Sequence, residues 1–561
     1  MQRSTGKTLH DMMESCGVLN HPDWFSKINL LHWPMPHQME MIRKYQVNFR
    51  YLDASQPGTG KTYPAQTHAI LMASLGNKVA FMMPPKLIDQ FIQEMHDYFE
   101  GIGSYLKIAG LNVQASKKLL LEKLWDKEGW PDILVMSYDA YRQYNDKSHM
   151  KNIGRNLWKC RKPLEDGSYE YLPYFKEDGN PLVQNAQPYT KDGRVVNNKG
   201  RAKNNNQMRL RELGYHVLFA DEGHALCGID SLLSQSFAEM SSKLGDEVAL
   251  YIMTGTPVPT KLHDSYGLIR LINPGAYMNK AEFMRRHCIT QEVRMHAGGK
   301  SFNVKTITGY NDTEAIYAAL WKNAHRVMLR DVTEMPEPII NEVRVTLSGR
   351  HRKLYKQLVN DHVARMGEKV LLPDSASELR HTALQFISCP GQYDPELADD
   401  NELAKSTADL VETISPDADR KIIIFAYYQK AIEELAERYK HLNPGVVYGG
   451  SSRSSEDIRR FKEDPNCHLL IIQWIAGGAG LNLQVANYLI FYEIPTSPKD
   501  ALQAIARADR KGQLKMVHVY FMRVMSTISD RNFKNLLKNE ESNNRVVGDT
   551  KGLLHELLGA A

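Results

Sequence analysis

Residues 47–75 read VNFRYLDASQPGTGKTYPAQTHAILMASL, and the order of residue types in that stretch decides the fold. The apolar run ending at Ala54 predicts a strand, SQPGTGKT (Ser55–Thr62) is a glycine-rich loop, and AQTHAILMASL predicts a helix. Strand, glycine loop and helix in that order is the context a phosphate-binding loop requires. Gly58 and Gly60 let the backbone bend so that its N–H groups converge on phosphate oxygens. Lys61 is expected at the β- and γ-phosphates of ATP, with Thr62 on Mg²⁺. Ser55, Gln56, Pro57 and Thr59 complete the loop, Ser55 replacing the first Gly of the strict pattern. Pro64 falls in the first helical turn, where a missing N–H costs little. A second Gly-Lys-Thr, Gly6-Lys7-Thr8, follows no strand and is assigned no role.

Further along, DEGH (Asp221–His224) directly follows the apolar run HVLF. Carboxylates at the end of a strand in a parallel sheet sit where such folds hold ligands. Asp221 is expected to bind Mg²⁺ through water, and Glu222 to orient and deprotonate an attacking water. TGTP (Thr254–Pro257) closes the run ALYIM. The hydroxyls of Thr254 and Thr256 are expected to hydrogen-bond to His224 and report the nucleotide state; the alternative is an ordinary strand-ending turn. Near the far end, QAIARADR (Gln503–Arg510) places Arg507 and Arg510 three apart, on one face if helical. Guanidinium groups stabilise charge on a transferring phosphoryl group. A solvated basic helix face is the alternative, and Gln503 together with GGAGLNL (Gly477–Leu483) upstream favours the catalytic reading.

Two regions alternate short apolar runs with helical stretches. The first holds VAFMMP, DILVMS, HVLFAD and ALYIMTGTP; the second holds KIIIFAY, VVYGG, HLLIIQW, NYLIFYE and VHVYFM. This pattern predicts an α/β protein with parallel sheets covered by helices on both faces. The expected division is an N-terminal extension (1–27), a first ATP-binding domain (28–275), a helical connecting region (276–419), a second domain (420–526) and a C-terminal helical segment (527–561). TEAIYAALWKNAHRVML and GRHRKLYKQLVNDHVARM carry the helical reading of the connecting region. Within the first domain, residues 148–211 hold three Asp-Gly pairs between extended residues, which predicts a β-hairpin insertion.

Hydrophobic residues make up 42% of the 561 and charged residues 24%, an ordinary globular composition. The net charge is only +5, yet residues 148–211 alone carry 13 basic and 6 acidic residues, or +7. Six scattered cysteines without a CxxC pair argue against a disulfide framework or a structural zinc site and suit a reducing compartment. The opening MQRSTGKTLHDMM lacks the apolar core of a signal peptide. Leu469–Tyr492 is uncharged and long enough to span a bilayer, but its Gln and Asn residues and central glycines read as strand, loop, strand, so no membrane partner is expected.

The ordered set SQPGTGKT, DEGH, TGTP, GGAGLNL and QAIARADRKGQ resembles a superfamily-two helicase core, and in detail the Swi/Snf-like family of DNA-dependent ATPases. PHQ (Pro36–Gln38), MPPKLIDQFIQE, HRVMLRDVTEMP (His325–Pro336) and YGGSSRSSEDIRRF are also similar to that family's segments. The resemblance runs from about Pro34 to Asp530. It implies two RecA-like motor domains in tandem and ATP hydrolysis coupled to movement on duplex DNA. It places Gln38 on adenine and Gln503, Arg507 and Arg510 on the γ-phosphate. By motif position it nominates Pro84, Lys86, Ser137, Tyr138, Gly449, Ser451, Gly477 and Gly478 as nucleic-acid contacts. Gly223 stands where Ala is usual, and Ala506 where many helicases have Gly. Two other readings are a strand-separating helicase on DNA or RNA and a nucleotide-regulated clamp. Intact Lys61, Glu222 and both arginines argue against the clamp, and a second motor domain excludes a small-molecule kinase. With no chromatin-reading module or Lys/Arg-rich nuclear signal visible, the expected location is the cytoplasm of a bacterial cell or of a virus-infected bacterial host.

Overall fold

A computed structural model describes residues 5–111, 129–143, 150–152, 158–163, 169–173, 210, 214–228, 231, 233–235, 237–238, 248–258, 261–297, 300–361, 364–366, 369–371, 376–417, 419–451, 453–474, 481–510 and 512–547. Its first sheet contains β1 (Arg50–Asp53), β2 (Lys78–Met83), β3 (Ile108–Leu111), β4 (Ile133–Ser137), β5 (Tyr215–Ala220), β6 (Ala249–Met253) and β7 (Ala324–His325). Their order is β7-β1-β6-β5-β2-β4-β3, and every pairing is parallel. Alternate residues of β5 face opposite cores. Val217 and Phe219 pack with Val79 and Phe81, whereas Leu218 and Ala220 pack with Leu134 and Ile252. Both faces are buried, which is why the strands read as continuous apolar runs rather than as alternation.

The second sheet contains β8 (Ile339–Val345), β9 (Ile422–Ala426), β10 (Gly445–Val447), β11 (Leu469–Gln473), β12 (Tyr488–Phe491) and β13 (His518–Val524), again all parallel, in the order β8-β13-β12-β9-β11-β10. Ile422 and Ile424 face one core, Ile423 and Phe425 the other. Leu469–Tyr492 thus supplies two buried strands. Among the described residues, no helix is long and apolar enough to cross a membrane.

The apolar runs expected as strands all form strands. The 276–419 stretch is helical in part, with helices at Lys280–His287, Thr313–Trp321, Gly349–Asp361, Ala376–Ser388 and Glu402–Ile414, but strands interrupt them. The helix expected through Leu329 ends at Trp321, after which β7 joins the edge of the first sheet. Cys288–Ala297 pairs with Lys300–Tyr310 as a long antiparallel hairpin, and β8 belongs to the second sheet. The sequence IINEVRV at β8 mixes charge with apolar residues because it lines an edge, where Arg523 of β13 pairs with its Glu342 at 2.8 Å. Residues of the expected N-terminal extension join the core of the first half: Leu9, Met12, Met13 and Phe25 are fully buried there.

In the insertion, Met150–Asn152, Trp158–Pro163 and Tyr169–Pro173 form a three-stranded antiparallel sheet, with Asp166-Gly167 falling between the last two strands. Asp178-Gly179 and Asp192-Gly193 lie outside the described residues. Cys16, Cys227, Cys288, Cys389 and Cys467 are buried and free.

Candidate active site between the two sheets

The glycine loop leaves the C-terminal end of β1 and runs into α2 (Thr62–Ser74), which follows α1 (Pro36–Val47) in the chain. Gly58 and Gly60 have φ of 87° and 81°, the left-handed region that a side chain resists. Gly60 is also confined by space, because a Cβ there would lie 2.5 Å from Gln38 Nε2. Gln38 braces the loop by donating Nε2 to the Gly60 carbonyl at 3.0 Å and accepting from the Met35 amide at 2.9 Å. Neighbouring His37 reaches the Thr59 carbonyl at 2.9 Å. Lys61 curls back on its own loop, donating to the carbonyls of Ser55 and Gln56 at 2.8 and 3.0 Å.

The acidic pair sits at the end of β5. Burial, then the charge of Glu222, pushes the Asp221 carboxyl up from its ordinary value, with Lys61 opposing. Burial also acts on Glu222, but the nearby His224 with Lys61 and Lys499 outweighs it and holds this carboxyl below its ordinary value. Glu222 Oε2 lies 3.2 Å from His224 Nδ1. Its backbone is left-handed at φ 50°, a conformation costing about 1–2 kcal/mol for a residue with a side chain. The sharp turn aims the carboxylate off the strand end. At Gly223 a Cβ would overlap Ile252 Cγ2, so the departure from Ala at that position matches the crowding there.

From the second half come Gln503, on α3 (Pro498–Ile505), and the two arginines. The expectation of a shared helical face is corrected here: the helix ends at Ile505, and Arg507 and Arg510 lie in the turns beyond it. Both still reach the cleft. Arg507 is buried, donates Nη2 to the Trp474 carbonyl at 2.8 Å, and leaves Nη1 without a partner. Burial lowers its pKa to about 10. Gln503 Nε2 lies 3.5 Å from Glu222 Oε2. A single cleft of about 620 Å³ is lined by Gln38, Pro57, Gly58, Gly60, Lys61, Thr62, Asp221 and Glu222 on one side and Gln503, Arg507 and Arg510 on the other.

Other expectations fare differently. Thr254 Oγ1 accepts the Thr256 amide at 3.1 Å, and Thr256 Oγ1 is buried without a partner. Neither hydroxyl reaches His224, which faces Glu222 instead. Gly255 presses on the loop, where a Cβ would lie 2.6 Å from Pro57 Cδ. Of the nominated nucleic-acid contacts, Lys86 and Gly449 are exposed, and Pro84 and Ser451 half-buried. Ser137 is fully buried and its hydroxyl accepts the Ala140 amide at 2.9 Å, so its side chain is not offered to a nucleic acid. The Tyr138 hydroxyl donates to the Asp221 carbonyl at 2.7 Å, bracing the acidic pair. Gly477 and Gly478 lie outside the described residues.

Sequence reasoning missed the work of Ser55 and Gln56. Ser55 Oγ accepts the Val327 amide at 3.0 Å, and Gln56 Oε1 accepts the Leu329 amide at 2.8 Å. The only sequence signal was the departure from Gly at position 55, where glycine has no hydroxyl to offer.

Comparison with known proteins places these features in a family. The model of the SNF2-related domain matches residues 81–389, over half the chain, and that of the helicase conserved C-terminal domain matches 405–512. The chain is 23% identical over 338 residues to "Protein CHROMATIN REMODELING 5" of Arabidopsis thaliana, covering 55% of this chain and 18% of that protein. It is 22% identical over 499 residues to a TATA-binding protein-associated factor of Saccharomyces cerevisiae, covering 75% of this chain and 26% of that protein. The chain therefore spans about a quarter or less of the length of these curated relatives. Among solved structures it is similar to the Sulfolobus solfataricus SWI2/SNF2 ATPase core in complex with dsDNA, at 17% identity and a TM-score of 0.34, covering 93% of this chain and 94% of that one.

Proposed function

This chain belongs to the SNF2-related family, and on that premise we propose that it is a motor that hydrolyses ATP to translocate on duplex DNA. The observation that carries the reading is the shared cleft, in which the phosphate loop and acidic pair of one half face Gln503, Arg507 and Arg510 of the other. Neither half holds a complete site.

In this reading ATP enters with its phosphates on the glycine loop, and Lys61 exchanges two carbonyls for phosphate oxygens. Gln38 reads the adenine. Glu222, aimed off the strand end, orients and deprotonates the attacking water. Arg507 and Arg510 meet charge developing on the γ-phosphate, and Gln503 helps bridge the halves. Thr62 and Asp221 fit Mg²⁺: a hydroxyl and a carboxylate are hard oxygen donors lining the same cleft. Bound there, the ion would neutralise phosphate charge. Because the γ-phosphate touches both halves, its presence favours the closed arrangement and its loss the open one. Division into two motor units of about 28–275 and 420–526 belongs to the same reading, as does a reducing cell interior, which suits the buried free thiols.

A motor that tracks along DNA grips the backbone rather than the bases. We place Pro84, Lys86, Gly449 and Ser451 in that groove, with the amide of Ser137 and the loop at Gly477 and Gly478, and the +7 charge of residues 148–211 adding electrostatic grip. The test is the ATP hydrolysis rate without nucleic acid and with single-stranded DNA, duplex DNA or RNA. Duplex DNA is expected to stimulate most, and stimulation by RNA alone would overturn the reading.

A further inference from the structure

The segment from β7 to Arg330 is bonded to both sides of the ATP cleft. On the side of the phosphate loop, the Ala54 amide donates to the His325 carbonyl at 2.7 Å and the Gln56 amide to the Val327 carbonyl at 2.9 Å. In return, the Val327 amide donates to Ser55 Oγ at 3.0 Å and the Leu329 amide to Gln56 Oε1 at 2.8 Å. Four hydrogen bonds thus alternate along the loop, like an extra strand laid against it. The next residue crosses to the other side. Arg330 Nη2 lies 3.0 Å from both carboxylate oxygens of Asp509. Asp509 is buried and sits between Arg507 and Arg510, in the turn that carries both. The loop and that turn also touch directly: a Cβ on Gly58 would lie 3.4 Å from Arg510 Cβ and 3.5 Å from Leu329 Cδ1.

We propose that Arg330 is a positioning residue that registers the arginine turn against the phosphate loop through Asp509. The proposal rests on the reading of the cleft as a split ATP site. Its physical basis is twofold. A buried carboxylate that loses its cation is strongly disfavoured, so Asp509 holds the turn wherever Arg330 stands. Arg330 stands where Ser55 and Gln56 place it, because the hydrogen bonds up to Leu329 leave the next residue little freedom. A shift of the loop on nucleotide binding therefore moves the arginine turn with it. Arg330 touches neither nucleotide nor reacting atoms in this arrangement and acts only through Asp509.

The test uses the full chain with Cys160→Ser, labelled at Leu19→Cys and Leu514→Cys, exposed sites on opposite halves, Cys16, Cys227, Cys288, Cys389 and Cys467 being buried. Two readouts are taken in parallel: the distance between labels as a non-hydrolysable ATP analogue is added, and kcat and KM for ATP with duplex DNA. Arg330→Ala is expected to lower kcat about tenfold with KM little changed, and to raise the analogue concentration needed for closure by a similar factor. The reversed pair, Arg330→Asp with Asp509→Arg, is expected to recover part of both losses relative to Arg330→Asp alone. Closure and kcat of Arg330→Ala equal to those of the unsubstituted chain would overturn the proposal, as would a reversed pair no better than the single change. A chain that closes on the analogue but hydrolyses no ATP would instead overturn the split-site reading, while the closure readout still decides the role of Arg330.

Discussion

Gln503 Nε2 lies 3.5 Å from Glu222 Oε2, across 281 residues of sequence and between two separate sheets. That spacing is at the long end for a hydrogen bond. The second half therefore reaches the acidic pair directly, so that a group held between them would touch both halves.

Glu222→Gln keeps the size of the side chain and its reach toward Gln503 but removes the base. ATP affinity is expected to stay within about threefold while turnover falls by roughly 10²–10⁴. A nucleotide-binding titration beside a steady-state hydrolysis assay checks both. Normal turnover in the presence of DNA would mean that another group serves as base.

Arg510→Ala is expected to cut turnover by about 10³ or more with ATP affinity nearly intact, as for a group that meets charge only in the transition state. Arg507→Ala should cut turnover and also lower thermal stability, since its guanidinium is buried on the Trp474 carbonyl. A stability loss shared equally by the two variants would contradict this split of roles.

Gly60→Ala puts a methyl group 2.5 Å from Gln38 Nε2, on a backbone at φ 81°. The left-handed conformation alone costs about 1–2 kcal/mol, and the displaced Gln38 loses its hold on the loop. ATP affinity is expected to fall about tenfold or more, the equivalent of about 1.4 kcal/mol, and fluorescence titration measures it. Unchanged affinity would show that the loop tolerates a side chain there.

Glu493, buried at the end of β12, has its carboxyl pushed up to about 7 by burial from an ordinary value of 4.5. Between those values the folded chain keeps a proton that the unfolded chain has lost. Its stabilising contribution is therefore complete below pH 4.5 and is lost as the pH rises through 7, by on the order of 3 kcal/mol. The Tm of Glu493→Gln should fall less between pH 5 and pH 8 than that of the unsubstituted chain. Parallel Tm profiles would rule out this residue as the source.

What the sequence reveals depends on how local the physics is. SQPGTGKT is legible because its bend is made by the backbone of a few consecutive residues, with Gly58 and Gly60 in the left-handed region. The central strands are legible because both of their faces are buried and little but apolar residues fits them. β7 and β8 were not, since a two-residue strand has no periodicity and an edge strand mixes its residue types. The arginine pair was found for the wrong geometric reason: a helical face was expected, whereas turns beyond the helix carry both residues. The bond from Arg330 to Asp509 joins positions far apart in the chain, and no local pattern announces it. The Thr254 and Thr256 expectation failed because a side chain's partner depends on a rotamer and its surroundings, not on spacing.

The most direct test of the central claim, movement along duplex DNA driven by this split site, is displacement of a third strand from a triplex placed at one end of a long duplex. With ATP, the chain is expected to release the third strand while the duplex stays paired, and Glu222→Gln is expected to release none. Hydrolysis of ATP on that same duplex with the third strand left in place, or with the duplex itself pulled apart, would contradict the account.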